Sequence, residues 1–306
     1  MEQLSLITHV RKVAPTEPLL TMPDTPLTGK STINEALIKY QNHLIAGRYK
    51  TSTADAYAKS IRNFSRGKGD LPVGKPTNEM KLAIESFIAH QKRVGMDEKT
   101  VACRINALRN FFGWLTDERI IPYNPMVKIF PPHVKQGEPI VLSKSQYDEY
   151  MKAAENDVRD LVFAIIALEA GPKRSELVLI DETDVNVESR YRPTVWIARH
   201  DRLHRRELEL PTFFVDAFKE YVTKPRNSSN LFGLAPRGCN YVSQEIAERA
   251  GLDMKVPVSV LRDTYAIRRI SAGVDVVKVL KSLGLQDRSI DADVIDRYKM
   301  AAATHR

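Results

Sequence analysis

Residues 256–285 read VPVSVLRDTYAIRRISAGVDVVKVLKSLGL, and this stretch decides which fold we expect. Its first apolar positions recur at spacings of three and four residues, at Val258, Leu261 and Tyr265. That period predicts a helix that buries this side and places Arg262 and Arg269, seven residues apart, on another side. Gly273 is expected to end the helix, and a second apolar helix should follow it and end at Gly284. A basic helix therefore precedes a core helix.

Length and composition are typical of a globular protein with two domains. The chain has 306 residues, of which 43% are hydrophobic and 27% are charged, so each domain can bury a core of its own. No apolar run is long enough to span a bilayer, and residues 1–10 lack the apolar centre of a signal peptide. We therefore expect a cytoplasmic protein with no membrane partner.

Charge and cysteine content limit the kinds of partner and site. The formal net charge of +8 suits a polyanionic partner. Cys103 and Cys239 lie far apart and form no Cys-x-x-Cys pattern, which argues against a disulfide framework or a zinc site. We predict neither a metal nor another cofactor.

The N-terminal part predicts an arm followed by a helical bundle. Residues 1–30 contain four prolines and no sustained helical period, so we expect a flexible arm. Four amphipathic helices should follow over residues 31–130, the first with its N-cap at Ser31 or Thr32 and its end at Gly47. The apolar residues at helical spacing are Ile33, Leu37, Tyr40, Leu44, Tyr57, Ile61, Phe64, Met80, Ile84, Phe87, Ile88, Val101, Ile105, Leu108, Phe112 and Leu115.

A linker should separate this bundle from a second domain. Residues 131–141 include three prolines and are polar, which is typical of a linker. Residues 142–306 predict a domain of helices around residues 161–170, which are apolar almost all round. Candidate strands at residues 194–198 and 207–210 flank a basic turn. The predicted fold is mainly α with a small antiparallel β-sheet, in two domains.

The C-terminal segment resembles the catalytic end of the tyrosine recombinase (phage integrase) family. The likeness rests on Leu261-Arg262-Asp263-Thr264, on Ser282-Leu283-Gly284-Leu285 and on Tyr298. The family writes these motifs as His-x-Leu-Arg-His-Thr, Leu-Gly-His and a nucleophilic tyrosine. The resemblance implies that Arg262 binds the scissile phosphate and that Tyr298, about one helical turn later than the family spacing, is the nucleophile. Ser259 and Leu285 stand where the family has histidines.

Residues 171–177, GPKRSEL, resemble a second family motif, Gly-x-Arg-x-Ser-Glu-Leu. Its phosphate-binding arginine falls on Lys173, with Arg174 beside it. A guanidinium group binds two phosphate oxygens as a planar fork, whereas an ammonium group is a point charge, and loss of one preorganised donor lowers rates on the order of 10²–10³ at oxyanion sites. Lys173 should substitute in part, and Arg174 is the alternative, although one residue rotates a helical side chain by about 100 degrees.

A basic turn over residues 199–206 falls where the family has a lysine that protonates the leaving 5′-hydroxyl. The turn contains no lysine, so the resemblance assigns this position to Arg202, while His200 or His204 is better suited to act as an acid because histidine titrates near neutral pH. The alternative interpretation is a basic β-turn that contacts phosphate, with the candidates Arg199, Arg205 and Arg206.

Two further positions have both a chemical and a structural interpretation. Ser259 can donate a hydrogen bond but does not titrate near neutral pH, and after Pro257 it is favoured as the N-cap of its helix. Tyr298 is either the nucleophile or a partly buried packing residue with a solvated hydroxyl. Its neighbours Arg297 and Lys299 are expected to ease ionisation of the phenol.

The predicted bundle resembles the SAM-like core-binding domain of the same family. The matching residues are Thr53, Tyr57, Phe64, Thr100, Arg104, Leu108, Arg109, Phe112 and Ile121-Pro122-Tyr123-Asn124-Pro125. In the family this bundle clamps one face of duplex DNA. The implied DNA contacts are Lys50, Lys99, Thr100, Arg104 and Arg109, with Arg269 in the second domain. Ordinary solvated charge is the structural alternative for each of them.

Three functions fit these residues. The first is a divergent recombinase-fold protein that binds double-stranded DNA on the nucleoid with weak or absent catalysis, and that positions or regulates a competent recombinase or serves an architectural role. The second is an active site-specific recombinase that forms a 3′-phosphotyrosine link through Tyr298. The third is a protein-interaction scaffold without DNA binding. The first is favoured because four of the six catalytic positions are substituted, and its expected partners are DNA and a second copy or another recombinase subunit.

Overall fold

The computed structural model describes residues 25–305 except residues 48, 50, 67–70, 76, 135, 190, 199–204 and 226–229. Most of the predicted arm lies outside the described residues, as do the site candidates Lys50, Arg199, His200, Arg202 and His204. The chain divides into two compact units, Met1–Gln136 and Gly137–Arg306. Within the described residues, no helix combines the length and apolar character needed to cross a membrane. The same residues contain no cluster of three or more His, Cys, Asp or Glu that could hold a metal ion.

The first unit is a bundle of four helices. They are α1 (Ile33–Ala46), α2 (Thr51–Ser65), α3 (Thr77–Arg93) and α4 (Glu98–Asp117). A capping box begins α1, because the Thr32 hydroxyl accepts the Glu35 N–H and the Glu35 carboxylate accepts the Thr32 N–H at 2.7 Å. The predicted helical period is confirmed, since every apolar residue that it singled out is buried except Tyr57 and Ile88, which pack half-buried against the same core.

The second unit surrounds one central helix. Its helices are α5 (Lys144–Ala154), α6 (Val158–Glu169), α7 (Arg174–Leu177), α8 (Phe214–Thr223), α9 (Pro236–Arg249), α10 (Val258–Ser271), α11 (Val276–Ser282) and α12 (Ala292–Thr304). Residues 162–168 of α6 are each at most 1% exposed, which confirms the predicted buried centre. Such a helix is apolar all round because neighbours cover every side of it.

A three-stranded antiparallel sheet lies in the second unit. The strands β1 (Val185–Asn186), β2 (Thr194–Ala198) and β3 (Arg205–Glu209) pair in the order β1-β2-β3. Val195 and Ile197 of β2 are fully buried on the core face of the strand. The two longer strands confirm the predicted sheet, whereas β1, with two residues, is too short to produce an alternating pattern in the sequence.

The first turn of α10 differs from the prediction. The N-cap residue is Pro257, so Ser259 lies inside the helix and is not its N-cap. Proline offers no side-chain acceptor, and Asn240 of α9 takes over this function by accepting the Val258 N–H at 3.1 Å. The ends of α10 and α11 are as predicted, because Gly273 and Gly284 follow them with φ of +88° and +74°.

Candidate active site

A cavity of about 410 Å³ in the second unit brings together four of the six residues predicted for catalysis. They are Lys173, Arg174, Ser259 and Arg262, and the rest of the lining is Pro172, Ser175, Asn240, Pro257 and Val258. Tyr298 is not part of this lining. As far as the chain is described, the lining carries three cationic side chains and no carboxylate, so its charge suits an anion.

Lys173 and Arg174 reach the cavity from the corner between α6 and α7. Gly171 turns the chain there with φ of +57°, and a Cβ atom would lie 2.7 Å from the Tyr265 ring, so only glycine fits. Lys173 is the N-cap of α7 and Arg174 is its first residue, and both are exposed. The two candidate registers of the motif therefore both place a cation at the rim.

Arg262, the arginine expected to bind phosphate, is buried and lines the cavity. The residue is 9% exposed, and its guanidinium donates from Nη1 to the Gly171 carbonyl at 2.6 Å and from Nη2 to the Leu283 carbonyl at 2.7 Å. These carbonyls occupy two of five N–H donors. Burial lowers the pKa of Arg262, and the charge of Glu176 opposes only part of that shift.

Arg206 on β3 pairs with Glu176 inside the second unit, and the phosphate contact expected of it stays a prediction. Its Nη1 and Nη2 donate to Glu176 Oε1 and Oε2 at 3.2 and 2.7 Å. Burial works to raise the pKa of Glu176, but the hydrogen bonds and charge of Arg206 hold that pKa below its ordinary value. Glu176 Oε2 also lies 3.9 Å from Arg262 Nη1. Three charged groups thus form one buried network.

Tyr298 is 6% exposed on α12, and its hydroxyl donates to Asp263 Oδ1 at 2.7 Å instead of being solvated. Burial raises the pKa of Tyr298 and Asp263 raises it further, while Arg297 and Arg262 oppose these effects with smaller ones. The expectation that cationic neighbours ease ionisation is therefore wrong in its net effect. The Arg297 guanidinium lies 5.3 Å from the centre of the Tyr298 ring and donates from Nε to the Gly137 carbonyl at 2.7 Å.

Other predicted residues of the second unit lie nearer the surface. The Arg205 side chain is 45% exposed, with Nη1 3.7 Å from Asp184 Oδ1. Arg269 is exposed, and its guanidinium lies 5.6 Å from the centre of the Tyr265 ring. Leu285 packs half-buried against the apolar cluster of α10, α11 and α12, so the position of a family histidine contributes to the core instead.

In the first unit, the predicted DNA contacts that the structure describes lie on α4. Lys99 is exposed, and Thr100 and Arg104 are half-buried. Arg109 donates to the Ile129 carbonyl, and its guanidinium lies 5.6 Å from the centre of the Phe130 ring. Arg109 therefore holds the segment after α4 in place, a function that its basic character alone did not indicate.

Three residues that shape the site were not nominated from the sequence. Glu176 and Asp263 stand inside the quoted motifs GPKRSEL and LRDT, and those motifs are the signal that could have found them. Asn240, which lines the cavity and caps α10, stands in no motif. Its function depends on a contact between two helices.

Comparison with known proteins gives matches in both sequence and fold. Residues 37–119 match the family model described as phage integrase, N-terminal SAM-like domain. Tyrosine recombinase XerC of Pelotomaculum thermopropionicum is 26% identical over 239 residues, which cover 71% of this chain and 76% of that protein. Tyrosine recombinase XerD of Listeria monocytogenes is 22% identical over 278 residues, which cover 84% of this chain and 92% of that protein.

Solved structures share the fold. A lambda integrase (75–356) dimer bound to a COC′ core site has a TM-score of 0.66 at 14% identity, with 85% of this chain and 97% of that chain covered. The XerH site-specific recombinase bound to difH substrate has a TM-score of 0.63 at 16% identity, with 89% and 82% covered. The SAM-like match, the recombinase relatives along most of the chain and this shared fold together support the tyrosine recombinase (phage integrase) family as the one that this chain resembles.

Proposed function

We propose that this chain binds duplex DNA in site-specific recombination and that its own strand cleavage is weak or absent. DNA binding is supported by the net charge of +8 and by a cavity lined by Lys173, Arg174 and Arg262. It is also supported by the fold, since the lambda integrase and XerH structures that share it are bound to DNA. A protein with this function would work on the nucleoid.

The position of the Tyr298 hydroxyl carries the second half of the proposal. A phenol attacks phosphorus as the phenolate or while a base removes its proton. Here the hydroxyl is buried and its proton is held by Asp263, with the pKa shifted away from ionisation. Attack would also require the buried ring to leave its packing, since Tyr298 does not line the cavity.

Among the described residues, the cavity lining contains no histidine and no carboxylate that could transfer a proton. Ser259 does not titrate near neutral pH, and Leu285 has no polar atom in its side chain. Lys173 offers a point charge where the family motif has a guanidinium fork. These side chains can bind a phosphate, but few of their interactions would be stronger in the transition state of strand cleavage than in the bound substrate.

A protein of this kind would position or regulate a competent recombinase, or shape the DNA. The expected partners are a second copy of the chain or another recombinase subunit. The lambda integrase structures that share the fold include a dimer on a core site and a tetramer bound to a Holliday junction.

A gel-shift series tests DNA binding. Affinity for duplex DNA should fall steeply between about 50 and 200 mM salt, and Tyr298→Phe should bind like the wild type. Lys173→Gln should reduce the salt slope by about one phosphate contact. Lys152→Gln is the matched control, because Lys152 is equally exposed in the second unit but does not line the cavity. Failure of the wild type to bind at low salt would contradict the proposal and favour the protein-interaction scaffold.

An active recombinase with Tyr298 as nucleophile is the second candidate. It is favoured by the convergence of Lys173, Arg174, Ser259 and Arg262 on one cavity. Incubation with supercoiled and nicked DNA from the source genome, followed by a denaturing gel, separates the two candidates. A covalent adduct that disappears in Tyr298→Phe would show that cleavage is retained, whereas binding without an adduct supports the proposal.

A further inference from the structure

The network behind the cavity contains two guanidinium groups and one carboxylate. The side chains of Arg206, Arg262 and Glu176 are 14%, 11% and 6% exposed. Two guanidinium charges and one carboxylate charge leave the network with a net charge of +1. Buried charges are costly unless paired, so it matters which of the two arginines Glu176 neutralises.

The geometry assigns Glu176 to Arg206. Both guanidinium Nη atoms of Arg206 donate to the two carboxylate oxygens, at 3.2 and 2.7 Å, in the strong bidentate arrangement. The Arg262 guanidinium stays 3.9 Å from the same carboxylate and uses its Nη donors on the carbonyls of Gly171 and Leu283. Arg262 is therefore the arginine whose charge is left over, and it is the one that lines the cavity.

Arg206 is held in this position from its other side. A Cβ atom on Gly284 would lie 2.8 Å from Arg206 Nη1 and 3.1 Å from its Cζ, so the guanidinium packs directly on the backbone of that glycine. The buried Nε of Arg206 has no hydrogen-bond partner among the described residues. Arg206 is thus fixed by packing and by the carboxylate, and it does not line the cavity.

We infer that Arg206 is a positioning residue that occupies Glu176 and thereby keeps the charge of Arg262 available to a DNA phosphate in the cavity. If Arg206 is removed, Arg262 remains at 3.9 Å from the buried Glu176 carboxylate, and the two attract strongly at this separation. Their ion pair would withdraw the Arg262 charge from the cavity. This inference rests on the proposed DNA-binding function.

Two other functions of Arg206 make different predictions. If Arg206 itself contacts phosphate, its loss weakens DNA binding whether or not Glu176 is present. If Arg206 only stabilises the fold, its loss lowers the melting temperature and leaves the affinity of the folded protein unchanged. Removing the carboxylate together with Arg206 separates these cases, because the double variant Glu176→Gln/Arg206→Gln has the net charge of the wild type and lacks the group that would capture Arg262.

The experiment measures DNA affinity and its salt slope by fluorescence anisotropy with a labelled duplex, below the melting temperature of each variant. Arg206→Gln should bind roughly tenfold more weakly than the wild type, the effect of losing one charge-assisted contact. Arg206→Lys keeps a cation near Glu176 and should bind within about threefold of the wild type. Lys152→Gln is the control for the loss of one positive charge in the same unit, and it should bind like the wild type.

The double variant gives the decisive result. Glu176→Gln/Arg206→Gln should recover wild-type affinity within about threefold, and Arg206→Gln should have no further effect in an Arg262→Gln background. A double variant as weak as Arg206→Gln would overturn the inference in favour of direct phosphate contact. Wild-type affinity in Arg206→Gln would overturn it in favour of a structural function. If the wild type itself does not bind DNA, the proposed function fails, and this inference fails with it.

Discussion

The two units of this protein bury polar groups very differently. Among the described residues, the first unit buries the uncharged side chains Ser65 and Gln91. The second unit buries four charged side chains, which are Asp160, Glu176, Asp184 and Arg262. The first unit is therefore stabilised mainly by apolar packing of amphipathic helices. The second unit depends in addition on buried ion pairs and hydrogen bonds, and one of the buried charged residues, Arg262, lines the cavity.

This difference should appear as a different response to mutation and to pH. Truncating an apolar core residue creates a cavity whose effect does not depend on protonation. Removing one member of a buried ion pair leaves its partner uncompensated, and the effect changes where the removed group titrates. The chain contains two tryptophans, Trp114 in α4 and Trp196 in β2, so the variants Trp196→Phe and Trp114→Phe allow the fluorescence of each unit to be followed separately.

The largest expected effect, and the sharpest test of this comparison, is at Glu176. Glu176→Gln should lower the free energy of unfolding of the second unit by about 3–5 kcal/mol at neutral pH, because Arg206 loses its buried partner. Phe112→Ala in the first unit should have a similar effect of about 3–5 kcal/mol through a cavity. Urea unfolding measures both. The control Glu245→Ala, at an exposed position on α9, should change stability by less than about 0.5 kcal/mol.

The pH dependence then separates the two variants. Because the pKa of Glu176 is lowered from 4.5 in the folded state, the stability that its ionised form contributes is complete above pH 4.5 and is lost as the pH falls through the lower folded-state pKa. The difference between the wild type and Glu176→Gln should therefore shrink below pH 4.5, while the effect of Phe112→Ala stays constant. If the effect of Glu176→Gln on stability were independent of pH, the ionised carboxylate would not be what stabilises the second unit, and the proposed difference between the units would be contradicted.

A smaller effect is expected at Tyr298. Tyr298→Phe removes the donor to Asp263 and leaves a half-buried carboxyl group without this hydrogen bond, so the free energy of unfolding of the second unit should fall by about 1–3 kcal/mol. Tyr241→Phe is the matched control, because Tyr241 is 69% exposed and should be neutral within about 0.5 kcal/mol. Equal effects for the two variants would show that the bond to Asp263 adds no stability.

The smallest effect should be equal in the two units. Each contains a capping box, at Thr32 for α1 and at Ser143 for α5. Thr32→Ala and Ser143→Ala should each lower stability by about 1 kcal/mol, because a cap satisfies local backbone donors whatever the surrounding core contains. Thermal melts followed through Trp114 and Trp196 would measure them. Clearly unequal effects would mean that the units also differ in their local interactions.

Sequence predicts the structure well where interactions are local. The helices of the first unit and the buried centre at α6 follow from apolar period and caps, which depend on residues within one or two turns. Thr32, for example, is identified by Glu35 three residues later. The four cavity residues were also predicted, but through resemblance to a family and not through period.

Predictions failed where the partner is distant in sequence. The hydrogen-bond partners of Arg262 were not predicted, because the carbonyls of Gly171 and Leu283 lie 91 and 21 residues away. For Tyr298 the sequence showed the cationic neighbours that ease ionisation, whereas the Asp263 carboxyl group, which raises the pKa, lies 35 residues away. A helical period predicts the side of the helix on which a residue lies, but it does not predict which hydrogen-bond acceptors that residue contacts.

The exposure of Lys173 and Ser259 at the rim of the cavity has a consequence for protein engineering. Neither side chain belongs to the apolar core, so Lys173→Arg and Ser259→His could reintroduce family side chains without repacking the second unit. Leu285 is different, because a histidine there would replace apolar contacts with α10, α11 and α12. The substitutions that separate this site from the family motifs therefore differ in how easily they can be reversed. Restoring the family residues at Lys173 and Ser259 should not lower stability, whereas a histidine at Leu285 should.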